Sequence, residues 1–292
     1  MRVRVLGAAA GGGFPQWNCA CACCTLARAG DPRASPRTQD AIAASADGER
    51  WVLLNASPDV LRQIAASAFL WPRAPRHSPV VALALCNGDV DHVAGLLSLR
   101  ERQPLTLAAT GSVLSGLFER NVLLRTLQRF PGQLTRVPLS LGHATTIAGL
   151  SITAHGVAGR PPIHLRGVVA PRPEDNVALE IAAHGRRVLY APAVASLDGL
   201  PSLDAPDVLL FDGTFWSSDE LVAQGLAEAR AEDMGHLPVQ SSLGALAAAR
   251  ARRKVYVHVN NTNPILVAGS RERLAVEAAG CAVAFDGMEL DA

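Results

Sequence analysis

The chain has 292 residues, of which 49% are hydrophobic and 18% charged, and its formal net charge is +1. There is enough apolar material for a substantial core, and the near-neutral charge without a basic block excludes a charge-driven nucleic-acid binder. Apolar runs such as residues 80–86 are far too short to cross a bilayer, so membrane insertion is excluded too.

Residues 1–7 alternate charged and apolar side chains and read as a strand. No long apolar stretch follows them, so they do not resemble a signal peptide, and the expected location is cytoplasmic. The strand runs into glycines at 7 and 11–13, but a nucleotide loop does not fit. There is no Lys-Ser/Thr pair, and Pro15 with the cysteines beyond it argues against a helix opening there. The glycines instead permit close backbone approach to something at the strand end. Four of the six cysteines follow, at 19, 21, 23 and 24. Thiols so close are badly placed for disulfides and well suited to a soft ion; the plainer reading is spare thiols in alanine-rich sequence. Cys86 and Cys281 lie in apolar runs and read as core.

Residues 25–40 read as irregular and 50–56 as a strand. Ser57 caps a predicted helix to about Phe69, with Pro58 in its first position. A strand at 80–86 delivers the chain to Asn87-Gly88-Asp89-Val90-Asp91-His92, and a helical pattern then runs to about Arg102. Asp91 and His92 at a strand end suit a metal; Asp91 is equally suited to capping a helix. Further on, 105–109 reads as a strand, 112–121 as a helix and 134–155 as paired strands. Residues 156–175, rich in Gly and Pro, read as a long loop. Strands are predicted at 176–183 and 187–191 around His184-Gly185, at 207–211 ending at Asp212, and at 254–259 with His258 near its end. Helices are expected at 219–230, 241–252 and 271–279, and a last strand at 281–285. With no linker or repeat, residues 1–292 read as one layered α/β domain.

Three strand ends thus carry Asp91 and His92, Asp212, and His258, on what should be one sheet edge. Singly, His258 is more often a satisfied strand histidine and Asp212 a turn former; it is their joint placement that points to a metal. Two histidines with a carboxylate suit Fe(II), and zinc fits as well.

The run at 87–92 resembles the His-x-His-x-Asp-His segment of the metallo-β-lactamase superfamily, with Asn87 and Asp89 in place of the leading histidines. Five blocks are similar to the PqqB family of pyrroloquinoline quinone (PQQ) biosynthesis. They are Gly11 to Cys24, Asp91 to Leu97, Phe211-Asp212-Gly213-Thr214, Met234-Gly235-His236, and His258 to Pro264. The segment after His236, Val239 to Gly244, departs from the Ser-Gly-rich continuation usual there. The resemblance implies a four-layer αββα sandwich and a structural zinc on Cys19, Cys21 and Cys24. His236 and residues 260–261, Asn261 among them, both offer a fourth zinc ligand. An active-site metal on Asp91, His92, His258 and Asp212 is expected, with Fe2+ favoured and Asp89 as an orienter of His92. The implied activity is Fe(II)- and O2-dependent hydroxylation of the tyrosine ring of a Glu-Tyr-derived precursor. The alternatives are a carrier of PQQ or its precursor towards the periplasm, and a metal-dependent hydrolase. The partners expected are the precursor, a second copy in a homodimer and other proteins of the pathway. His164 and Arg166 of the long loop are candidates to pair with substrate carboxylates.

Overall fold

The computed structural model describes residues 1–292. Six strands form the first sheet in chain order: β1 (Arg2–Gly7), β2 (Ala41–Ser45), β3 (Trp51–Leu54), β4 (Val80–Ala84), β5 (Leu105–Thr110) and β6 (Leu134–Leu139). Seven form the second: β7 (Ala144–Ile147), β8 (Leu150–Gly156), β9 (Val177–Ala183), β10 (Arg186–Ala191), β11 (Val208–Asp212), β12 (Arg253–Val257) and β13 (Ala282–Val283). Both sheets begin antiparallel and turn parallel, from β3 to β6 and from β10 to β13. Parallel neighbours place their C-terminal ends on one edge, and the site gathers there.

Three apolar clusters define the layers. One joins the inward faces of both sheets, with Val5, Ile42, Val52, Leu54, Ile152, Leu179, Tyr190 and Leu210. A second lies outside the second sheet, under α1 (Ala22–Arg28), α6 (Val239–Ala248) and α7 (Arg271–Ala278). The third lies outside the first sheet, under α2 (Val60–Ala66) and α4 (Gly111–Phe118). Helix, sheet, sheet, helix is the expected αββα sandwich. Both faces of the central strands are covered, which is why β3 and β11 are buried at every position and read as apolar runs. No helix is long and apolar enough to cross a membrane.

The departures from the predicted elements have local causes. Strand β2 (AIAAS) escaped notice because alanine carries little strand signal; between two covered faces a small side chain is what fits. Helix α1 opens inside the cysteine cluster and runs on to Arg28, although irregular chain was expected from residue 25. Strand β6 belongs to the first sheet and only β7 and β8 pair, because the chain crosses between sheets there. The N-cap position of α2 is Asp59 and not Ser57. The helix foreseen to about Arg102 is one α turn, α3 (Val90–Val93), followed by 3-10 turns over Ala94–Leu99. The carbonyl of His92 accepts from Ala56 N at 2.7 Å instead of continuing the helix. The amide of Gly95 bonds Ala56 O at 2.9 Å, and a Cβ at Gly95 would meet Ser57 O at 2.1 Å. Only α5 (Glu220–Ala223) forms within 219–230, and left-handed Gly225 (φ +66) follows it.

Candidate metal centre

The apolar strand β4 ends in the core and hands over to Asn87–Asp89, after which α3 begins. Asp89, not Asp91, takes its N-cap position. Asp91 therefore sits in the first turn with its carboxylate free to point across the sheet edge. There it meets His258, whose Nε2 lies 3.1 Å from Asp91 Oδ2. His258 follows β12 in the left-handed region (φ +54), an uncommon conformation for a non-glycine residue. His92 is 1% exposed. Its Nδ1 lies 2.7 Å from Asn87 Oδ1, so that nitrogen carries the proton, and its Nε2 is buried without any partner. The ligand atoms of Asp91, His92 and His258 all lie within 4.8 Å of one another.

A second group shares His258. Asp212 and His236 join it within the same 4.8 Å limit. His236 Nδ1 is 2.8 Å from Asp212 Oδ2. Both Asp212 oxygens are occupied: Oδ1 accepts from Thr214 N (3.0 Å) and Oγ1 (2.6 Å), and Oδ2 also accepts from Val194 N (3.0 Å). Since the Thr214 hydroxyl gives its proton to Asp212, it accepts from His258 Nδ1 at 2.8 Å, leaving His258 Nε2 to face Asp91. His236 thus belongs to this group and not to the thiols, where it was one candidate for the fourth position.

Charges inside the group oppose one another. Burial would raise Asp91, but His92 and the hydrogen bond and charge of His258 outweigh it and hold the carboxyl well below the usual range. Burial pushes His92 down to about 4, with Asp91 opposing. Burial also disfavours the His258 cation, yet the Asp91 hydrogen bond and the charges of Asp91, Asp40 and Asp212 carry it up to about 9. Without a cation, the group holds a proton between Asp91 and His258. A divalent ion would take its place.

Asp89 lies outside both ligand groups. It does not orient His92; Asn87 does, and the Asp89 amide merely donates to Asn87 Oδ1 at 3.0 Å. Its side chain lines a cavity of about 90 Å³ with His92, His236, His258, Arg160 and Arg166, where burial and then Asp91 push it up to about 6. Arg166 thus faces the site as expected; His164 is not among the lining residues, whereas Arg160, unremarked in the sequence, is. Asn87, Asn176 and Thr214 are the supports that sequence reading missed. Asn87 Nδ2 donates to Asn176 Oδ1 at 3.2 Å, and Asn176 Nδ2 to Ala193 O at 2.7 Å.

The thiols of Cys19, Cys21 and Cys24 form their own group, again within 4.8 Å. Asn261 closes one side: its Nδ2 lies 3.4 Å from Cys24 Sγ, and its carbonyl oxygen 3.4 Å from Cys21 Sγ. Burial, and beyond it the neighbouring Cys24 and Cys19, push the Cys21 thiol up to about 12. A cation among them would reverse that. Cys23 turns away, towards Thr262 O and Asn263 O at 3.8 Å each.

A model of the β-lactamase superfamily domain matches residues 50–259. Coenzyme PQQ synthesis protein B of Methylobacterium radiotolerans is 45% identical over 300 residues, covering 99% of each chain. That of Methylorubrum extorquens strain PA1 is 44% identical over 301 residues, covering 100% of each. The chain belongs to the coenzyme PQQ synthesis protein B family. A crystal structure of zinc-bound PqqB from Methylobacterium extorquens, 44% identical, covers all of both chains with a TM-score of 0.94. A diphosphatase of the PhnP family matches with a TM-score of 0.69 at 18% identity, which shows the shared fold.

Proposed function

We propose that this chain acts in PQQ biosynthesis as an oxygenase: a ferrous ion held by Asp91, His92 and His258 serves hydroxylation of the tyrosine ring of a Glu-Tyr-derived precursor. The observation that carries this reading is the buried, unpartnered Nε2 of His92. A buried nitrogen without a partner is costly, and a metal ion satisfies it. Two imidazoles and one carboxylate form the set that suits non-haem Fe(II) with open positions for substrate and O2. When bound, the ion supplies the redox chemistry that O2 needs to react with an aromatic ring.

The chain's own residues do the rest. Thr214 and Asn87 orient the two imidazoles, and Asp212 holds His236 beside them. Arg160 and Arg166 pair with substrate carboxylates. Asp89, poised near neutrality, takes the phenolic proton. One oxygen atom of O2 ends on the ring carbon, and the other leaves as water with two electrons and two protons from an external reductant. The cavity of about 90 Å³ is well below the ~300 Å³ at the lower end of ligand pockets, so the loop over residues 157–176 opens to admit substrate and excludes water when closed. The thiol group of Cys19, Cys21 and Cys24 holds a separate structural zinc, with Asn261 against it.

A hydrolase reading draws on the second group, Asp212, His236 and His258, which offers a place for a second ion. Anaerobic purification, metal analysis, addition of Fe(II), then O2, reductant and a tyrosine-containing dipeptide, with mass spectrometry of the product, separates the readings. Gain of one oxygen atom, lost in His92→Ala and His258→Ala, is expected. Two active-site ions with bond hydrolysis instead would establish the hydrolase. Tight PQQ binding without any oxygen gain would establish the carrier.

A further inference from the structure

The glycine loop has two sides. On one, Gly11 presses on the metal group so closely that a Cβ there would lie 3.2 Å from Asp91 Oδ2. On the other, Gly12 and Gly13 border a separate cavity of about 370 Å³ that Arg37, Arg62, Asp59 and Asp286 also line. Arg37 is only 8% exposed. Its backbone is pinned to Phe14 by two hydrogen bonds, of 2.7 and 2.9 Å, yet its Nε and Nη1 have no partner. The carboxylates nearby are committed elsewhere. Asp286 accepts from Ala8 N (3.1 Å), Thr38 N (2.7 Å) and Thr38 Oγ1 (2.8 Å), and Asp59 Oδ2 accepts from Gln39 N (3.0 Å) and Nε2 (3.1 Å). Burial and the positive charge of Arg273 both weigh against the Arg37 cation, and Asp286 offsets them only in part.

A buried guanidinium whose Nε and Nη1 make no hydrogen bond is costly even with Asp286 as a partial counter-charge, and one bordering a cavity invites an anion. We propose that this cavity is a carboxylate-binding site anchored by Arg37, separate from the metal group and divided from it by residues 11–13. The class follows from charge and shape. Arg37 and Arg62 face Asp59 and Asp286, so the walls carry no net charge and favour a singly charged ligand over phosphate. A planar carboxylate matches the guanidinium fork. Free small acids and the C-terminus of a peptide share this chemistry.

The test reads the full, metal-loaded chain by NMR of arginine side chains, with the Arg37 Nε resonance assigned by its loss in Arg37→Met. Acetate, acetyl-triglycine, acetyl-triglycine amide and inorganic phosphate are titrated at matched ionic strength with sodium chloride as control. A saturable shift of the Arg37 signal with acetate or acetyl-triglycine, absent with the amide and with chloride, is expected. Tenfold tighter binding of acetyl-triglycine than acetate assigns a chain end; equal or tighter binding of acetate assigns a free acid. No saturable shift with either carboxylate, or phosphate binding as tightly, overturns the proposal. If Arg37→Met fails to fold, crystals of the wild-type chain grown with acetate decide. Acetate on the guanidinium supports the site, and water alone there overturns it.

Discussion

Asn87 Oδ1 stands 2.7 Å from His92 Nδ1, and this one contact sets which nitrogen of a buried imidazole is left to bind an ion. The oxygen can only accept, so His92 keeps its proton on Nδ1 and presents a bare Nε2 to Asp91 and His258. Asn87 is thus the support that fixes the orientation of His92.

Asn87→Leu therefore weakens metal binding about 10- to 100-fold, the usual effect of losing a support behind a ligand. It also leaves Asn176 Oδ1 and the Asp89 amide without their partner, at a cost of roughly 1–3 kcal/mol. Competition with a chelator measures the first effect and chemical denaturation of the metal-free chain the second. Unchanged affinity would contradict the assigned role.

Thr214→Val removes the hydroxyl that ties Asp212 to His258. Ion affinity is expected to fall, while Thr214→Ser restores it, because serine carries the same hydroxyl. Isothermal titration with Zn(II) and Fe(II) checks the pair; a serine variant as weak as valine would point to lost methyl packing instead.

His258 gives the metal-free chain a pH-dependent stability. Its folded pKa, about 9, exceeds the ordinary histidine value, so the folded state binds the proton more tightly. The contribution, roughly 3 kcal/mol, is full below pH ~6.5 and is lost as pH rises through about 9. The stability difference between the wild-type chain and His258→Gln should shrink over that window, and denaturation of both without metal measures it. His92 has the opposite sign: folded near 4, it favours the fold above pH ~6.5 and loses that contribution as pH falls through about 4.

Cys24→Ser is expected to remove the zinc of the thiol group while leaving the Asp91, His92 and His258 group able to bind. Elemental analysis before and after chelation distinguishes the two. The melting temperature should fall, since this thiol links α1 to Asn261 and thereby to the chain just after His258.

Arg166→Ala and Arg160→Ala should raise KM for a carboxylated substrate with little change in metal content, because both line the cavity and neither belongs to a ligand group. A fall in bound metal instead would assign them to the support of the site.

Much of this was legible in the residues themselves. Continuous apolar runs announced strands covered on both faces, and the strand-end residues Asp91, His92, Asp212 and His258 announced where a site would gather, because parallel strands put their ends on one edge. The crowding of Cys19, Cys21 and Cys24 needed only spacing. What spacing does not carry is the partner across the fold. Whether Asp91 caps a helix or meets His258 depends on contacts 167 residues apart. Whether His236 serves the thiols or Asp212 depends on which loop lies beside β11. Strand β2, mostly alanine, has little local signature, and nothing local shows that Asn87, Thr214 and Asn176 act as supports. Tertiary packing alone decided them, because a small side chain or an amide acquires its meaning only from the neighbour it is pressed against.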